Sequence, residues 1–352
     1  MTRMLVAGID IGGTNTSFGF VDKAGNILYK DSIPTRDDLP PEEFVRDLCE
    51  RIRLAQRPSP SFPLHPTQPP QMGRREEREV GLPSPLGEGP GMRTLGEGVR
   101  VLGVGIGAPN GNYFRGTIEF APNLKWKGIV PIAEMISKHL NIPAVLTNDA
   151  NAAALGEMYF GKAVGVKNFL FITLGTGLGS GIVVNGDLVY GHDGFAGELG
   201  HVIMVRDGRM CGCGRRGCLE QYVSASGLVQ SYIEIYEKRN SLKLEDKENL
   251  TSIEIYHKAR SREGAAIDAF NFTGDMLGFA LANSVPYTSP EVIYIFGGLA
   301  EAEDLILLPT RESFDKNIMH LWKDKVRIER SGLPSNDAAI LGAASVIWKR
   351  LS

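Results

Sequence analysis

The sequence predicts an α/β protein of two domains, and three observations carry this prediction. Its 352 residues, 43% of them hydrophobic, suffice for two domains with sizeable cores. Short apolar runs alternate with helical patterns along the chain, which is typical of α/β folds. A strand, a glycine-rich turn and a second strand occur in each half of the chain. This duplication predicts a nucleotide held between two related domains.

The apolar runs and one helical pattern define the elements in order. The predicted strands lie at 5–9, 16–21, 99–106, 143–147, 168–174 and 292–296. The segment 41–56 begins with a proline and two glutamates and places Phe44, Leu48, Ile52 and Ala55 on one face. This spacing predicts an amphipathic helix between the second and third strands.

The segment 57–98 interrupts this pattern. Nine of the 20 prolines of the chain fall between Pro58 and Pro90, and a charged run, RREERE, follows Gly73. Such low-complexity sequence cannot bury enough apolar surface to offset the cost of ordering the chain. We expect an insertion in a surface loop whose deletion leaves folding and turnover nearly intact. A proline-rich docking site is the alternative.

Charge and hydropathy exclude several classes of partner. The chain has 38 basic and 41 acidic residues, a net charge of −3, so neither nucleic acid nor an anionic membrane is expected as its main partner. The N-terminal run MLVAGI is too short for the core of a signal peptide, and no apolar run approaches the ~20 residues that span a bilayer. We expect a cytoplasmic protein that acts on small molecules.

The first glycine-rich turn lies in GIDIGGTNTSFGFVD, residues 8–22. A strand ends in Asp10, Gly12 and Gly13 follow, and Thr14 leads into the second strand. Glycines let the backbone approach an anion closely, and a nearby carboxylate can hold a water of a magnesium ion. For an isolated pair of glycines, an ordinary hairpin is the usual structure.

The second turn repeats this design and favours phosphate binding. In ITLGTGLGSGIVVNGDLVYG, residues 172–191, four glycines surround Thr176 between two predicted strands. Neither turn fits the GxGxxG pattern that opens a helix in dinucleotide-binding folds. The pair of turns therefore predicts a nucleotide site between the two halves and disfavours a dinucleotide-binding fold.

A cysteine cluster predicts a metal site. Three of the four cysteines, Cys211, Cys213 and Cys218, lie within eight residues, too close together to connect distant elements by disulfides. Zinc takes four nitrogen or sulfur ligands, and His201, ten residues before Cys211, is the predicted fourth. A lone histidine is otherwise a hydrogen-bonded core or surface residue. Four protein ligands leave no open position, so this zinc is expected to be structural. Cys49 is expected to be a buried small hydrophobe.

An ordered set of motifs resembles the ROK family of sugar kinases and sugar-responsive repressors, in the actin-like ATPase superfamily, and most closely its bacterial glucokinases. The set covers the chain from about residue 4 to the C-terminus, except the insertion. It comprises DIGGT at 10–14, GAPN at 107–110, APNLKW at 121–126, TNDANAAALGE at 147–157, LGTGLGSG at 174–181, GFAGELGH at 194–201, CGCGRRGCLE at 211–220, FGGLA at 296–300 and NDAAILGAA at 336–344. GAPN departs from the usual glycine-ending form of its loop, so Asn110 bears on how the sugar fits.

The resemblance implies an actin-like, ribonuclease H-like fold of two α/β domains with a cleft between them. The N-terminal domain would comprise residues 1–146 and about 337–352, including the insertion at 57–98. The C-terminal domain would comprise residues 147–336 and carry the zinc-binding loop. A homodimer or homotetramer is expected.

The implied activity is transfer of phosphate from ATP, with Mg²⁺, to the 6-hydroxyl of a hexose, and glucose is the hexose that we expect. Asp149 would be the catalytic base; without the resemblance, it or Asn148 reads as a helix N-cap. The residues around the phosphates and metal would be Asp10, Gly12, Gly13, Thr14, Thr176 and Gly177, with Gly297 and Gly298 beside the adenosine. The residues that bind the sugar would be Asn123, Asn148, Asp149, Glu198, His201 and Glu220, on a loop anchored by zinc.

Several alternatives to a glucose kinase stay open. Mannose, fructose, N-acetylglucosamine and N-acetylmannosamine differ from glucose by one or two groups, and polyphosphate could replace ATP as donor. A sugar-responsive repressor is disfavoured, because only nine residues precede Asp10 and no basic recognition helix is evident.

Overall fold

Two β-sheets of the same design organise residues 3–56, 99–244 and 247–351, which are the residues described by the computed structural model. The predicted insertion at 57–98 lies outside these residues. Each sheet has five strands, and in both the first strand of the sequence occupies the centre. The prediction of an α/β protein built from two related halves is confirmed.

The first sheet has the strand order β3-β2-β1-β4-β8. Strands β1 to β3 are antiparallel to one another, whereas β1, β4 and β8 are parallel, so that the carboxyl ends of these three strands meet at one edge. The strands are β1 (Arg3–Ile11), β2 (Asn15–Val21), β3 (Ile27–Pro34), β4 (Val99–Ala108) and β8 (Ala144–Asn148).

The second sheet repeats this topology with the order β11-β10-β9-β12-β13. Strands β9 to β11 are antiparallel, and β9, β12 and β13 are parallel. The strands are β9 (Phe169–Leu174), β10 (Leu178–Val184), β11 (Asp187–Leu188), β12 (Val292–Phe296) and β13 (Arg327–Arg330). A small third sheet, which the sequence analysis missed, consists of β5 (Gly111–Asn112), β6 (Thr117–Glu119) and β7 (Ile129–Val130).

The described residues form nine α-helices, none of which is long and apolar enough to cross a membrane. The predicted amphipathic helix is α1, and it buries Phe44, Leu48, Ile52, Ala55 and also Cys49, as expected. The helices are α1 (Pro41–Gln56), α2 (Ile132–Leu140), α3 (Asp149–Phe160), α4 (Glu220–Val223), α5 (Ala225–Asn240), α6 (Ser252–Arg260), α7 (Gly264–Thr288), α8 (Asp304–Asn317) and α9 (Ala338–Leu351).

The C-terminal helix α9 lies directly on the first sheet. A methyl group added at Gly105 of β4 would lie 1.9 Å from the carbonyl oxygen of Ala343, and one added at Gly8 of β1 would lie 2.2 Å from that of Ile340. These contacts are possible only because both strand positions lack a side chain. The chain thus returns to its first sheet at its C-terminus.

Helix α3 packs between the two sheets and so positions the site. Methyl groups added at Gly179 and Gly181 of β10 would lie 2.7 and 2.6 Å from the Cβ atoms of Ala150 and Ala154, so α3 rests closely on the second sheet. At Gly156, α3 also packs against α9, which covers the first sheet. The first turn of α3 is therefore held where the two halves of the chain meet.

Candidate active site

Two aspartates meet at the carboxyl ends of the parallel strands of the first sheet. Asp10 lies opposite Gly107 in the β1–β4 pair, and Gly107 lies opposite Thr147 in the β4–β8 pair. A methyl group added at Gly107 would lie 3.7 Å both from Oδ1 of Asp10 and from Cα of Asp149. The bare glycine thus leaves room between the two acids.

Both aspartates hold their protons more tightly than a free aspartate does. Burial raises the pKa of Asp10 to about 7, and the charge of Asp149 contributes to this rise. Enclosure by protein also raises the pKa of Asp149, although the amide of Ala150 donates a hydrogen bond to its Oδ1 at 2.8 Å. Solvent reaches Asp149, so it occupies a concave site and not the protein interior. A carboxylate with a raised pKa is a better proton acceptor near neutral pH.

The cap of α3 is Asn148, not Asp149. The side-chain oxygen of Asn148 accepts a hydrogen bond from the amide of Asn151 at 2.7 Å, and its backbone is extended, as in an N-cap. Asp149 is the first residue of the helix, directly after β8. The capping role and the carboxylate thus belong to different residues.

The first glycine-rich turn joins β1 to β2 beside the loop that carries Asn123. The amide of Gly12 donates to the carbonyl of Asn15 at 3.0 Å, which closes the turn, and Thr14 is exposed. A methyl group added at Gly13 would lie 2.6 Å from the carbonyl oxygen of Asn123. The structure therefore brings Asn123, which is also exposed, against the first turn.

The second turn, which joins β9 to β10, contacts Glu220. The amide of Leu178 donates to Oε2 of Glu220 at 3.0 Å, and a methyl group added at Gly177 would lie 2.5 Å from the same oxygen. Thr176 is exposed at the tip of this turn. Glu220, the first residue of α4, thus uses one carboxylate oxygen to fix the backbone of the turn.

Glu198 completes a group of carboxylates around the start of α3. Enclosure by protein raises the pKa of Glu198, and the negative charges of Asp149 and Glu220 raise it further. His201, whose Nε2 lies 4.0 Å from Oε2 of Glu198, lowers this pKa. Because like charges raise a pKa only over short distances, Glu198 lies near both Asp149 and Glu220. The arrangement offers several strong acceptors to a ligand rich in hydroxyl groups.

The predicted metal ligands come together. The donor atoms of His201, Cys211, Cys213 and Cys218 all lie within 4.8 Å of one another. Nδ1 of His201 lies 3.7 Å from Sγ of Cys211, and Sγ of Cys213 lies 3.6 Å from Sγ of Cys218. Tetrahedral zinc with bonds of about 2.0–2.3 Å separates its donor atoms by roughly 3.5–3.8 Å, so both distances and the donor set fit zinc. This geometry leaves Nε2 of His201 directed toward Glu198.

Gly297 and Gly298 follow β12 at its carboxyl end. Gly297 has a φ of 105°, and a methyl group added there would lie 2.4 Å from the carbonyl oxygen of Leu174, at the end of β9, so only glycine fits this position. Gly298 opens onto a cavity of about 200 Å³ lined by residues of α6, α7 and the 3₁₀ helix Gly298–Ala302, among them Tyr256 and Phe270. This cavity can receive a flat aromatic group.

Asn110 adopts a backbone conformation that favours glycine. Its φ is 49°, in the left-handed region, which asparagine enters more readily than most residues. Its side-chain nitrogen donates to the carbonyl oxygens of Glu119 and Phe120 at 3.0 and 3.3 Å. The asparagine thus ties the loop after β4 to the end of β6.

The Asn110 site yields a stability prediction. Asn110→Gly removes two hydrogen bonds without adding strain, and we expect it to lower the free energy of unfolding by about 1–2 kcal/mol. Asn110→Ala removes the same bonds and adds the left-handed penalty of about 1 kcal/mol or more, so it should be the less stable variant. Urea denaturation of both variants tests this order. An alanine variant as stable as the glycine variant would contradict the assigned conformation.

Sequence reasoning missed two parts of the site. Gly107 was placed only within the GAPN motif and was given no role. A glycine at the end of a strand, next to strands that end in acidic residues, nevertheless indicates that neighbouring groups approach the backbone closely there. The cavity beside Gly298 gave no signal, because Tyr256 and Phe270 lie on separate helices far from the glycines in sequence.

The chain is similar to known proteins over most of its length. A sequence model of the ROK family matches residues 94–350. The glucokinase of Streptomyces coelicolor is 33% identical over 356 residues that cover 97% of each chain, and that of Thermotoga maritima is 31% identical over 100% of this chain and 99% of the relative. A solved ROK family glucokinase from Streptomyces griseus, in complex with glucose and AMPPNP, aligns with a TM-score of 0.72 at 30% identity, over 99% of this chain and 100% of that one.

Proposed function

The chain belongs to the ROK family, and from this premise we propose that it is an ATP-dependent sugar kinase that phosphorylates a hexose, most readily glucose at the 6-hydroxyl. Its fold is the two-domain actin-like ATPase fold. One observation carries the proposal: Asp10 and Asp149 approach each other between the two glycine-rich turns, beside the carboxylates of Glu198 and Glu220. A phosphate site and a hydroxyl-binding site thus adjoin one candidate base.

Asp149 is proposed to accept the proton of the hydroxyl that attacks the γ-phosphate. Its raised pKa matches this task, and the start of α3 holds it where both halves of the chain meet. Phosphoryl transfer otherwise depends on aligning the acceptor oxygen with the phosphate and on neutralising charge. The carboxylate performs its step without being needed as the helix cap.

The two turns are proposed to hold the phosphates of ATP. Gly12, Gly13 and Thr14 would face them from the first half, and Thr176 and Gly177 from the second. Asp10 would hold Mg²⁺ through its water shell; the ion supplies charge neutralisation at the phosphates when bound. The cavity beside Gly297 and Gly298 supports placing the adenine there, since its aromatic lining suits a flat base.

The hydroxyl groups of the sugar are proposed to meet a set of polar side chains around Asp149. His201 ends the 3₁₀ helix Leu199–His201, and Glu198 directly precedes this helix. The cysteine loop, residues 202–219, follows, and Glu220 begins α4. Asn123 lies beside the first turn, and the amide nitrogen of Asn148 is proposed to donate to the sugar while its oxygen caps α3. Other hexoses and N-acetylhexosamines stay alternatives to glucose.

We propose that His201, Cys211, Cys213 and Cys218 bind a structural zinc ion. The donor distances support this, and four protein ligands would complete the coordination. The ion would fix the loop and, through Nδ1, the orientation of the His201 ring. Nε2 would then be held toward the sugar site, next to Glu198.

The zinc proposal predicts the behaviour of a ligand variant. Cys213→Ser removes one thiolate from a closed site, so we expect a lower zinc content, a lower Tm and a higher KM for the sugar. Elemental analysis and thermal denaturation measure the first two. Cys49→Ala is the control, because it removes a cysteine outside the cluster and should keep the zinc content. Full zinc occupancy in Cys213→Ser, or wild-type protein purified without metal, would refute the four-ligand site.

The domain limits and assembly are also proposals. The packing of α9 on the first sheet supports assigning residues 1–146 and about 337–352 to one domain and 147–336 to the other. Exposed Phe279 and Tyr287 on α7 support a homodimer or homotetramer, because exposed apolar groups close together often mark interfaces. A cytoplasmic location is proposed, since ATP is the donor. Light scattering of the purified protein measures its assembly.

The proposed function is tested with purified protein, MgATP and a panel of sugars. Coupled release of ADP should be observed with hexoses, with the highest kcat/KM for glucose among glucose, mannose, fructose, N-acetylglucosamine and N-acetylmannosamine. A parallel assay with polyphosphate tests the donor. Absence of ADP release with every sugar would overturn the proposal, and transfer from polyphosphate alone would overturn its choice of donor.

A further inference from the structure

Arg209 lies on the cysteine loop, two residues before Cys211, and its side chain is only 15% exposed. Nη1 donates to the carbonyl oxygens of Gln221 and Gly227 at 2.7 and 3.2 Å. Nη2 donates to Oγ of Ser231 at 3.0 Å, and Nε and Nη2 together hold the carboxylate of Glu234 at 3.2 and 2.7 Å. One guanidinium thus joins the loop to four residues of α4 and α5.

Arg209 also contacts Tyr222, through its guanidinium and through its backbone amide. Its guanidinium carbon lies 4.6 Å from the centre of the Tyr222 ring, and its backbone amide donates to the Tyr222 hydroxyl at 2.9 Å. A methyl group added at Gly208, the preceding residue, would lie 2.1 Å from that hydroxyl oxygen. The loop and α4 are therefore closely packed at this point.

The corner between α4 and α5 contacts the second glycine-rich turn at three points. Glu220 accepts from the amide of Leu178, the amide of Ala225 donates to the carbonyl of Gly175 at 2.9 Å, and Oγ of Ser226 donates to the carbonyl of Thr176 at 3.3 Å. The position of this corner consequently sets the backbone of the turn and the carboxylate of Glu220 together.

We propose that Arg209 is a positioning residue for the phosphotransfer site: it holds the α4–α5 corner, and with it Glu220 and the second turn, against the cysteine loop. This role rests on the proposed kinase function and is separate from metal binding, because among the described residues none of the side-chain hydrogen bonds of Arg209 involves His201 or a cysteine. Arginine suits it, since a planar fork reaches several acceptors in fixed directions and a lysine ammonium does not.

The kinetic test compares Arg209→Ala and Arg209→Lys with Arg216→Ala. Arg216 lies on the same loop, and its guanidinium forms one hydrogen bond within the described part of the chain, to the carbonyl of Gly208 at 3.3 Å. We expect Arg209→Ala to lower kcat/KM for glucose by about 10- to 100-fold, mainly through KM, because small displacements of binding groups carry such costs. Millimolar guanidinium should restore part of this loss, Arg209→Lys should not, and Arg216→Ala should resemble wild type.

Zinc content distinguishes positioning from metal retention. Arg209→Ala should keep the zinc-to-protein ratio of the wild type, as measured by elemental analysis. Parallel loss of zinc and activity in this variant would overturn the proposal, as would wild-type kinetics. If Arg209→Ala does not fold, Glu234→Gln is the second variant. It weakens the ion pair between Arg209 and Glu234 at a half-exposed residue, and we expect KM to rise by a smaller factor.

Hydrogen exchange tests the proposal without any enzyme activity. Loss of the Arg209 side chain should speed amide exchange in peptides that contain Leu178 and Ala225, whereas Arg216→Ala should leave it unchanged. If the wild-type protein had no kinase activity, the proposed function would be refuted, but the amide exchange rates would still test whether Arg209 holds the α4–α5 corner. Unchanged exchange in both Arg209→Ala and Glu234→Gln would overturn the positioning role itself.

Discussion

Replacement of Asp149 by asparagine is expected to lower kcat by about 10²- to 10⁴-fold, the usual worth of general-base assistance. Asparagine keeps the size of the side chain and its ability to accept a hydrogen bond from the Ala150 amide. It cannot take up the proton of the attacking hydroxyl as a carboxylate does. Sugar affinity should change much less than turnover, so the loss should fall mainly on kcat.

The structure makes this substitution a clean test. Asn148 is the cap of α3, so Asp149→Asn removes no capping interaction, and the fold should stay near that of the wild type. The variant also removes a negative charge whose field acts on Asp10 and Glu198. A loss of activity in Asp149→Asn would therefore not result from loss of structure. Circular dichroism and Tm measurements check that the variant is folded.

A matched control is offered by Asp304, which is likewise the first residue of an α-helix and is exposed. Asp304→Asn makes the same chemical change at a helix start outside the proposed site, and its turnover should equal that of the wild type. If folded Asp149→Asn phosphorylated glucose at the wild-type rate, the base would have to be another residue.

The elements with strong local patterns could be predicted from the sequence. Helix α1 and the central strands follow from apolar spacing, and the metal cluster follows from three closely spaced cysteines, because the chain has little freedom between them. Both glycine-rich turns also give local signals. Local patterns of this kind do not give the distance between residues that are far apart in sequence, such as Asp10 and Asp149.

The missed features depend on tertiary contacts or on very short segments. Strands β5 and β7 have two residues each, too few for any alternation to be recognised. The sequence left open whether Asn148 or Asp149 caps α3, because either residue type can cap and the choice depends on backbone angles. Arg209 stands among other arginines of its loop, and only the fold shows that its partners lie on α4 and α5.

Replacement of Asp10 by asparagine is expected to reduce activity strongly and, at neutral pH and above, to stabilise the protein. Asp10 is proposed to hold the magnesium ion at the phosphates, and loss of one such electrostatic contribution costs about 10²- to 10³-fold in kcat. The stabilisation follows from the cost of keeping a charge in a buried site next to Asp149.

The pH dependence of this stabilisation has a defined sign. The pKa of Asp10 is about 7 in the folded protein, against 3.8 for an unperturbed aspartate. Below pH 4 the group is protonated in both states and contributes no difference. Between pH 4 and 7 the unfolded chain is ionised while the folded protein keeps its proton, so the free energy of unfolding of the wild type falls as pH rises. Above pH 7 the loss is complete, roughly 4 kcal/mol as an upper bound.

Asp10→Asn has no such proton to lose, so its stability advantage over the wild type should grow from pH 4 to 7 and then level off. Urea denaturation of both proteins at several pH values, without nucleotide or magnesium, measures this difference, from which pH effects common to both proteins cancel. When Asp149 is replaced by asparagine, the advantage of Asp10→Asn should level off at a lower pH, because removing the charge of Asp149 lowers the pKa of Asp10. A difference between wild type and Asp10→Asn that is constant from pH 4 to 8 would contradict the raised pKa of Asp10.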